Sequence, residues 1–497
     1  MNRTSLNETE RSGSESIKLH KMNKRILAAV LASASILGAV AGCSSNNATS
    51  STASDASSTT DSSKTEDSNK SDESKAEATE LKDDGDKLTI LAWESNSDIV
   101  NMVKLFCKET GTPEDKIEIS KQGSNGEGGR DQYQQYLKGD GDADLMCLEA
   151  DWILQYINDD QLTAPLSALG IEESAYADSY GYTVAIGKND AGVLKGASFQ
   201  AAPGGFAYRA DLAKEYLGVN SPDDMQKLVK DWDTFQSTAK TLYEKSGGKT
   251  SLQATEGGLW QVYQANRTKA WVVDGKLEMD TAPDFYDIAK SFKDNKYMAD
   301  VPQWQDAWYA AVQDGTALGD FVPTWGLTTG TSSILYSFAK GTGEGTKVKP
   351  TYEMAFCAGP TNYFWGGTWL GVSTKCDNKS LAKQFVEFFT TNADTMKKYT
   401  EFTGDFCNNK TVMKDIAEAK TNKNLLLKDG QDQFAVLYTA AEGIKMDGMI
   451  TKYDSVIKGH FNTSVQGYLD GTYATKDDAI NAFKKLVKGS FPDLTVE

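Results

Sequence analysis

Between residues 87 and 152 the chain alternates short apolar runs with amphipathic ones, and this alternation constrains the fold more than any other feature. Residues 88–93 form a β-branched apolar run that ends in a polar loop. Apolar residues then recur at helical spacing, with Ser97 as the predicted N-cap. Further strands are predicted at residues 116–120 and 143–152, with a helix between them. The alternation predicts an α/β domain with a mostly parallel sheet.

The ends of these strands supply the first candidate ligand contacts. In open parallel sheets, ligands bind beyond the carboxyl ends of the strands. Two of the predicted strand ends place a carboxylate beside a tryptophan, and the first also carries an amide. The candidates chosen on this ground are Trp93, Glu94, Asn96, Glu149, Asp151 and Trp152.

The N-terminal region has the layout of a secretory signal. A positive stretch precedes the apolar residues 26–40, and small residues follow, directly before Cys43. A membrane span needs roughly 20 apolar residues, so a poor transmembrane helix is the weaker alternative. We therefore predict a signal peptide at residues 1–42, in which residues 1–21 are an extension ahead of a start at Met22.

A polar segment separates the predicted signal from the folded part. Residues 44–86 contain no aromatic side chain and almost no apolar one, so they cannot bury enough surface to fold. Together with Cys43 they are predicted to form a disordered tether rich in Ser, Thr and Asp. A tail without consequence is the alternative interpretation. Residues 87–497 are predicted to form the folded body.

The overall composition excludes several kinds of site. The chain has 497 residues and a formal net charge of −18, which disfavours a nucleic-acid surface. His460 is the one histidine after the signal, which nearly excludes a histidine-rich metal site or a Ser-His-Asp triad. The cysteines after Cys43 are odd in number and lack a C-x-x-C pair, so neither a disulfide framework nor a metal site is predicted. We predict no cofactor and no bound metal.

Later stretches predict further elements. Residues 204–212 are typical of a strand that runs directly into a helix, and "GDFVPTWG" of a strand that ends at Trp325. Residues 363–373 are typical of one strand, so Trp365 and Trp369, four apart, are expected on the same face. Amphipathic helices are predicted at residues 380–392 and 480–487.

Taken in order, several segments resemble the extracellular solute-binding proteins of ABC importers, the family that includes the maltose-binding type. The sequence Val-Ala-Gly-Cys before the tether likewise resembles a bacterial lipobox, in which Cys43 receives a diacylglyceryl group. Where many relatives have proline in the late Thr-Gly loop, this chain has Cys407. The matching segments are residues 87–93, 133–169, 206–212, 313–325, 364–373 and 403–412.

The resemblance implies a periplasmic-binding-protein type II-like fold, with two α/β lobes, a hinge and an interlobe cleft. Lobe 1 is expected at about residues 87–203 and 362–398, and lobe 2 at about residues 206–358 and 400–497. Crossings between the lobes are expected near residues 203–208 and 358–364. The implied partners are a ligand held in the cleft and the permease subunits of a transporter.

A carbohydrate ligand fits the supply of aromatic residues and carboxylates. Sugar C–H faces stack on aromatic rings, and their hydroxyls donate to carboxylates. The resemblance places Asp151 at a sugar-contacting carboxylate and Trp325 at a stacking ring. Trp365 and Trp369 complete the candidate set, with the ligand-facing one of the two left open. Trp304, Asp306 and Trp308 are less certain additions, since helical spacing of tryptophans is more typical of a core.

Two other functions stay open at this stage. A surface glycosidase would use paired carboxylates, for which Glu94, Glu149 and Asp151 are available. The same fold could bind a peptide, a polyamine or an organic acid instead, although few arginines are present to hold a strong anion. The preferred prediction is a monomeric, lipid-anchored sugar receptor on the outer face of the cytoplasmic membrane, in a Gram-positive bacterium and without enzymatic activity.

Overall fold

The computed structural model describes residues 80–123 and 127–497, without the side chains of residues 127–130. The predicted signal peptide, the lipidation site at Cys43 and most of the predicted tether lie outside these residues. Within the described ranges, no helix combines the length and the apolar character needed to cross a membrane.

The described residues form short strands and many helices. The strands are β1 (Leu88–Ala92), β2 (Ile117–Lys121), β3 (Leu145–Glu149), β4 (Thr163–Ala164), β5 (Gly196–Ser198), β6 (Gly204–Arg209), β7 (Ser251–Gln253), β8 (Val272–Val273), β9 (Lys276–Leu277), β10 (Ala317–Pro323), β11 (Met354–Cys357) and β12 (Thr368–Ser373). The α-helices are α1 (Asp98–Thr110), α2 (Glu127–Lys138), α3 (Ile153–Ile157), α4 (Gly181–Ile186), α5 (Ala210–Leu212), α6 (Pro222–Leu228), α7 (Trp232–Lys245), α8 (Glu256–Tyr263), α9 (Ala282–Asp294), α10 (Asp306–Gln313), α11 (Ile334–Phe338), α12 (Lys379–Thr390), α13 (Ala393–Thr403), α14 (Lys410–Ala419), α15 (Phe434–Glu442), α16 (Asp454–Leu469) and α17 (Lys476–Ser490).

Two larger sheets organise these elements. The first has the order β2-β1-β3-β12-β4, with β5 also paired to β12; β1 is parallel to β2 and β3, whereas β12 is antiparallel to its neighbours. The second has the order β11-β6-β10-β7 and is mixed, because β6 is antiparallel to both of its neighbours while β10 is parallel to β7. The parallel arrangement predicted for the first three strands is confirmed, but the antiparallel β12 makes the first sheet mixed and not mostly parallel.

The first helix shows how local sequence sets an element. Helix α1 ends at Gly111, whose φ of 75° suits a residue without a Cβ atom. Ser97 occupies the predicted N-cap position, but its side chain makes no capping hydrogen bond. Instead, the Asn96 side chain accepts a hydrogen bond from the Ile99 backbone N–H at 3.2 Å. Asn96 therefore stabilises the start of the helix.

Two hydrophobic cores hold the sheets. The first surrounds the first sheet and includes Phe385 and Phe389 from the predicted helix that becomes α12. The second lies against the second sheet and includes Phe206 and Phe321. The first core also takes in Val322 from the second sheet, so the cores alone do not divide the chain into lobes. The predicted lobe boundaries stay predictions.

The chain crosses between the sheets through adjacent segments. Pro203 and Phe364 form an antiparallel bridge, and the Trp365 backbone N–H donates to the Ala202 carbonyl at 3.0 Å. The segment after β10 joins them, since the Thr324 backbone N–H donates to the Pro203 carbonyl at 3.0 Å. Crossings are therefore present in the two segments for which the sequence predicts them.

The strand predicted for residues 363–373 is shorter than expected, because two glycines interrupt it. Gly366 and Gly367 have φ values of 69° and 99°, in the region that favours glycine, and β12 begins only at Thr368. The alternation of side chains is therefore lost between Trp365 and Trp369, and the expectation that they share one face is wrong. Trp325 likewise lies beyond the end of its strand, in a 3₁₀ turn.

Candidate functional site

Three tryptophans from separate segments meet beyond the end of β10. Trp304 is 51% exposed, while Trp325 and Trp365 are half-buried. The Trp304 and Trp325 rings are nearly parallel, with an interplanar angle of 18° and centroids 6.1 Å apart. The Trp365 ring stands edge-on to both, with centroids 5.7 Å from Trp304 and 6.1 Å from Trp325. This tryptophan cluster presents an aromatic surface to solvent.

The crossing segment fixes the cluster to the hinge region. The Trp325 Nε1–H donates to the backbone carbonyl of Trp365 at 2.9 Å, which ties the turn after β10 to the chain entering β12. At Gly366, a Cβ atom would lie 3.3 Å from Trp325 Nε1, a tighter contact than most side chains tolerate. Glycine at this position lets the backbone approach the indole closely.

Trp304 adopts an unusual backbone conformation for a bulky residue. Its φ is 66°, in the left-handed region, which costs on the order of 1–3 kcal/mol for a residue other than glycine. Such strain persists where the surroundings fix the conformation. Here the ring packs edge-on against the fully buried Trp308, with centroids 5.0 Å apart. Trp304 therefore combines a strained backbone with an exposed ring, and such strained residues are typical of binding sites.

The first sheet contributes Glu149 to the same place. The residue ends β3, and its Oε1 lies 3.8 Å from the Cβ position at Gly366. Its Oε2 accepts a hydrogen bond from the Asp151 backbone N–H at 2.8 Å, which orients the carboxylate. A carboxylate from the first sheet therefore lies close to the tryptophan cluster beside the second.

Asp151 forms an ion pair across the space between the sheets. Its Oδ1 lies 2.6 Å from Lys458 Nζ, on helix α16 of the second core. The Asp151 side chain is 53% exposed and the Lys458 side chain 15%. Burial opposes the charge of Lys458, but Asp151 and Asp454 outweigh it and hold the pKa of Lys458 above its usual value. The cation is therefore charged at neutral pH.

A small cavity lies beside this ion pair. Its volume is about 20 Å³, close to the space of one water molecule. Two glutamines line it, Gln261 in helix α8 and Gln264 in the turn that continues the helix, and together they form the α8 stripe. Gln261 donates to the Phe364 carbonyl at 3.4 Å, and Gln264 donates to Gln261 Oε1 at 3.0 Å. Asp151, Lys458 and Gly366 also line the cavity, together with apolar side chains that include Met446 and Ile450. The two sides of the cleft thus approach each other closely around polar, hydrogen-bonding groups.

The start of helix α8 extends this wall toward Trp304. A Cβ atom at Gly257 would lie 2.9 Å from Gln303 Oε1, next to Trp304 in the chain. Glu256 Oε2 accepts a hydrogen bond from Gln466 at 2.7 Å. In the described part of the chain, the buried atoms Glu256 Oε1 and Gln303 Nε2 have no hydrogen-bond partner. Burial raises the pKa of Glu256 to about 7.

Four of the predicted contacts do not reach this site. Trp93 and Trp152 are buried in the first core, with ring centroids 6.0 Å apart. Asn96 is 4% exposed and caps α1. Trp369 is 1% exposed, and its Nε1–H donates to the Thr183 carbonyl at 2.8 Å. Of the Trp365 and Trp369 pair, only Trp365 lies at the cleft, because the intervening glycines turn the chain.

The remaining candidates divide between surface and core. Glu94 is exposed in the loop after β1, where its backbone N–H donates to the Gly123 carbonyl at 2.8 Å. Asp306 is exposed at the start of α10. Trp308 belongs to the core, as its spacing from Trp304 suggests, whereas Trp304 itself does not. Among the described residues, no group of three or more His, Cys, Asp or Glu side chains could hold a metal ion.

Sequence reasoning missed the polar stripe of helix α8 and Lys458. Gln261 lies in α8 and Gln264 in the 3₁₀ turn that continues it, and the two are three apart beside the buried Leu259 and Val262, so a helical polar pattern is present. The pattern does not reveal whether such a polar face meets solvent or a cleft. That distinction depends on the partner element, here the crossing segment at Phe364.

Comparisons with known proteins identify the family to which the chain is similar. A family model described as "Bacterial extracellular solute-binding protein" matches residues 101–426. Comparison with curated protein sequences finds no match.

Solved structures share the fold at low sequence identity. One described as an extracellular solute-binding protein of family 1 has a TM-score of 0.67 at 16% identity, over 82% of this chain and 100% of that one. The GacH receptor of Streptomyces glaucescens, solved unliganded and with acarbose, has a TM-score of 0.58 at 15% identity, over 81% and 98%. An ABC transporter associated binding protein from B. animalis subsp. lactis, in complex with beta-1,6-galactobiose, has a TM-score of 0.62 at 19% identity, over 82% and 99%. The predicted periplasmic-binding-protein fold is confirmed.

Proposed function

Because the chain belongs to the bacterial extracellular solute-binding protein family, we propose that it captures a sugar or oligosaccharide between its two sheets and delivers it to the permease of an ABC importer. The observation that carries the carbohydrate ligand is the tryptophan cluster, with Trp304 exposed beside two half-buried indoles. A solvent-facing group of three indoles is costly to leave uncovered, since large aromatic surfaces gain from burial.

The proposed contacts combine stacking with hydrogen bonding. A sugar ring stacks through a C–H face on the exposed Trp304, while Trp325 and Trp365 contact its edges, and its hydroxyls donate to Glu149 and Asp151. The amides of the α8 stripe offer donors as well as acceptors, as neutral hydroxyl groups require. Because most of these groups are uncharged or already paired, a neutral polyol is favoured over a strong anion.

The buried candidates take a supporting role in this proposal. Trp93, Trp152 and Trp369 pack the first core, and Asn96 holds the start of α1. Glu94 lies at the loop after β1 and can reach a ligand only beyond the cluster's edge. The two solved neighbours with bound acarbose and beta-1,6-galactobiose support a carbohydrate as the ligand class.

The location proposed for the protein rests on its N-terminal sequence. Cys43 carries a diacylglyceryl anchor after removal of the signal peptide, and the tether lets the monomeric receptor reach its permease from the outer face of a Gram-positive membrane. Two acyl chains anchor stably where one would not. Replacing Cys43→Ser should release the protein into the medium and remove labelling by radioactive palmitate. Retention of label in that variant would contradict the anchor.

Ligand capture without turnover is the test of the proposed function. Purified protein should gain thermal stability with particular members of a panel of mono- and oligosaccharides, because a ligand bound only by the folded state raises its melting temperature. Chromatography of the same mixtures should show the sugar unchanged, and product formation would favour the glycosidase instead. Stabilisation by a peptide, polyamine or organic acid alone would contradict the carbohydrate ligand.

Variants then test the assigned surface. Trp325→Ala should abolish the stabilisation, since the residue supplies a ring and holds the Trp365 backbone. Phe402→Ala is the matched control, because Phe402 is also 51% exposed but lies on α13, a different segment from those that carry the three tryptophans. Equal sugar responses in the two variants would overturn the assignment of Trp325.

A further inference from the structure

A fully buried carboxylate lies beneath the tryptophan cluster. Asp320, in the middle of β10, has no exposed surface. Its Oδ2 accepts hydrogen bonds from Trp308 Nε1 at 2.7 Å and Thr255 Oγ1 at 3.0 Å. Its Oδ1 accepts from the Phe321 backbone N–H at 2.8 Å and from Gln253 Nε2. Each oxygen therefore has two donors, and the four donors come from a helix, two strands and the start of another helix.

The first of these hydrogen bonds supports the exposed wall of the site. Trp308 is fully buried, and its ring packs edge-on against Trp304 with centroids 5.0 Å apart. Trp304 is exposed and strained in φ, so the surrounding contacts decide its orientation. By fixing the Trp308 indole through Nε1, the carboxylate of Asp320 fixes the surface on which Trp304 rests.

The second hydrogen bond, from Thr255 to Asp320, supports the wall of the cleft that helix α8 forms. Thr255 is the N-cap of α8, and its Oγ1 accepts from the Gly258 backbone N–H at 3.0 Å while donating to Asp320. A Cβ atom at Gly258 would lie only 2.2 Å from Asp320 Oδ1, so the helix packs directly on the carboxylate. Helix α8 carries Gln261 to the cleft, and the position of the helix therefore depends on the same two oxygen atoms.

We propose that Asp320 is a positioning residue for ligand binding, which sets the tryptophan wall and the α8 wall of the cleft relative to each other. The inference rests on the function proposed above and extends it to a residue that touches no ligand. A buried carboxylate is costly compared with an apolar side chain of the same shape. An ionised carboxylate accepts hydrogen bonds but does not donate them, so it can satisfy four converging donors. No neutral side chain of the same size can accept from all four.

Protonation of Asp320 should loosen the arrangement. Burial is the main cause that raises the pKa of Asp320 to about 7. The protonated form would turn one oxygen into a donor that faces other donors. The ionisable side chain that faces Asp320 from a neighbouring segment is Tyr363, whose buried hydroxyl donates to the Gly205 carbonyl at 3.0 Å. Burial raises the pKa of Tyr363 well above its usual value, so it stays neutral over this range.

The test compares an isosteric variant with a matched buried aspartate. Asp320→Asn keeps the shape but places an amide N–H₂ among donors. Asp144→Asn does the same to an aspartate that is 1% exposed in the first core and accepts backbone N–H groups there, including that of Thr89 at 2.7 Å. For the sugar that stabilises the wild type most, Asp320→Asn should weaken binding at least tenfold in calorimetric titration, whereas folded Asp144→Asn should bind within twofold. Binding of Asp320→Asn within twofold of the wild type would overturn the inference.

Single-arm variants keep the inference testable if Asp320→Asn fails to fold. Thr255→Val removes the hydroxyl donor at nearly the same volume, and Trp308→Phe removes the indole donor but keeps an aromatic ring at that position. Each should weaken binding about threefold, and in the Asp320→Asn background, if folded, neither should weaken it further. Unchanged affinity in both single variants would overturn the inference.

A spectroscopic measurement separates this inference from the proposed function. The indole ¹H–¹⁵N signal of Trp308, assigned through Trp308→Phe, should shift with pH around 7 in the ligand-free wild type. In Asp320→Asn, or in Thr255→Val if that variant is the one that folds, the Trp304 signal should also move. If no sugar binds the wild type, the proposed function fails, but these signals still report on Asp320. A Trp308 signal that does not titrate, with the Trp304 signal unmoved in the variant, would overturn the inference.

Discussion

The tryptophans near the ends of the two sheets differ in how far they are buried. At the first sheet, Trp93 and Trp152 are buried, and Tyr133 and Tyr156 pack against Trp152 with ring centroids 5.4 and 5.2 Å away. At the second sheet, the tryptophan cluster keeps Trp304 exposed on a strained loop. Two tryptophans that follow strands of the first sheet thus pack a core, whereas an exposed surface forms where the loop before α10 brings Trp304 against Trp325, in the turn after β10. A strand-end position therefore does not by itself identify a ligand contact.

The largest effect should come from the buried side of this comparison. Trp369→Ala removes a fully packed ring and its hydrogen bond to the Thr183 carbonyl, which should cost about 3–5 kcal/mol of unfolding free energy. Denaturant unfolding monitored by circular dichroism would measure it. A loss below about 1 kcal/mol would mean that Trp369 is not a core residue, and its role at the cleft would reopen.

The next effect concerns the link between the two regions. Asp98, at the start of α1, and Asp405 both accept hydrogen bonds from Gln200, and Asp405 also accepts from Thr324, the residue before Trp325. Burial, reinforced by the charge of Asp405, raises the pKa of Asp98 to about 7. The unfolded chain releases this proton near pH 4 and the folded one near pH 7. Between these values the folded state binds more protons, so stability should fall as the pH rises from 4 to 7.

Asp98→Asn should make that slope shallower. The expected reduction is about 1–2 kcal/mol between pH 4 and pH 7, less than the full shift would give, because Asp98 is partly exposed to solvent. Urea unfolding at several pH values would measure it, with Asp223→Asn, on the surface of α6, as the control. An unchanged slope in Asp98→Asn would contradict the account of this network.

The exposed side of the comparison should affect binding rather than stability. Trp304→Ala should weaken sugar binding about tenfold, which corresponds to roughly 1.4 kcal/mol. Its unfolding free energy should stay within about 1 kcal/mol of the wild type, because the lost ring is half exposed and its backbone strain is partly relieved. Calorimetric titration and denaturant unfolding measure the two quantities. A large stability loss with unchanged affinity would place Trp304 with the core tryptophans.

The smallest effect should come from the ion pair that joins the regions. Asp151→Asn or Lys458→Met should weaken binding about two- to fivefold, since a partly exposed pair contributes about 1 kcal/mol or less. The exchanged variant Asp151→Lys with Lys458→Asp distinguishes two roles. Restored affinity indicates a latch between the sheets, whereas affinity that stays low indicates that the Asp151 carboxylate contacts the sugar directly.

Most of the fold was readable from the sequence, because its elements follow from local pattern. The apolar run at β1, the helical spacing of α12 and the strand-to-helix transition after β6 depend on neighbours within one element. The cap of α1 was not readable, because Asn96 and Ser97 are both good capping residues and only the backbone path selects between them. The break before β12 depends on two glycine φ values that composition permits but does not require.

The site was less predictable because it depends on long-range packing. The sequence identifies Trp325 and Trp365 as candidates, and both lie in the cluster. It does not reveal that Trp369 points into the core. Nor does it reveal that Lys458 pairs with Asp151, since the two residues are 307 positions apart in the chain. A side chain's neighbours across a cleft come from the packing of whole elements, which no local pattern encodes.

The central claim is that a sugar binds on the tryptophan cluster and not on the buried strand-end tryptophans. The chain contains 10 tryptophans, few enough to resolve by ¹⁹F NMR after labelling with 5-fluorotryptophan and assignment through single Trp→Phe variants. On titration with the sugar that most stabilises the protein, the account predicts the largest shifts at Trp304, Trp325 and Trp365, with little change at Trp93, Trp152 and Trp369. Shifts concentrated on the latter three, with the cluster unchanged, would contradict it.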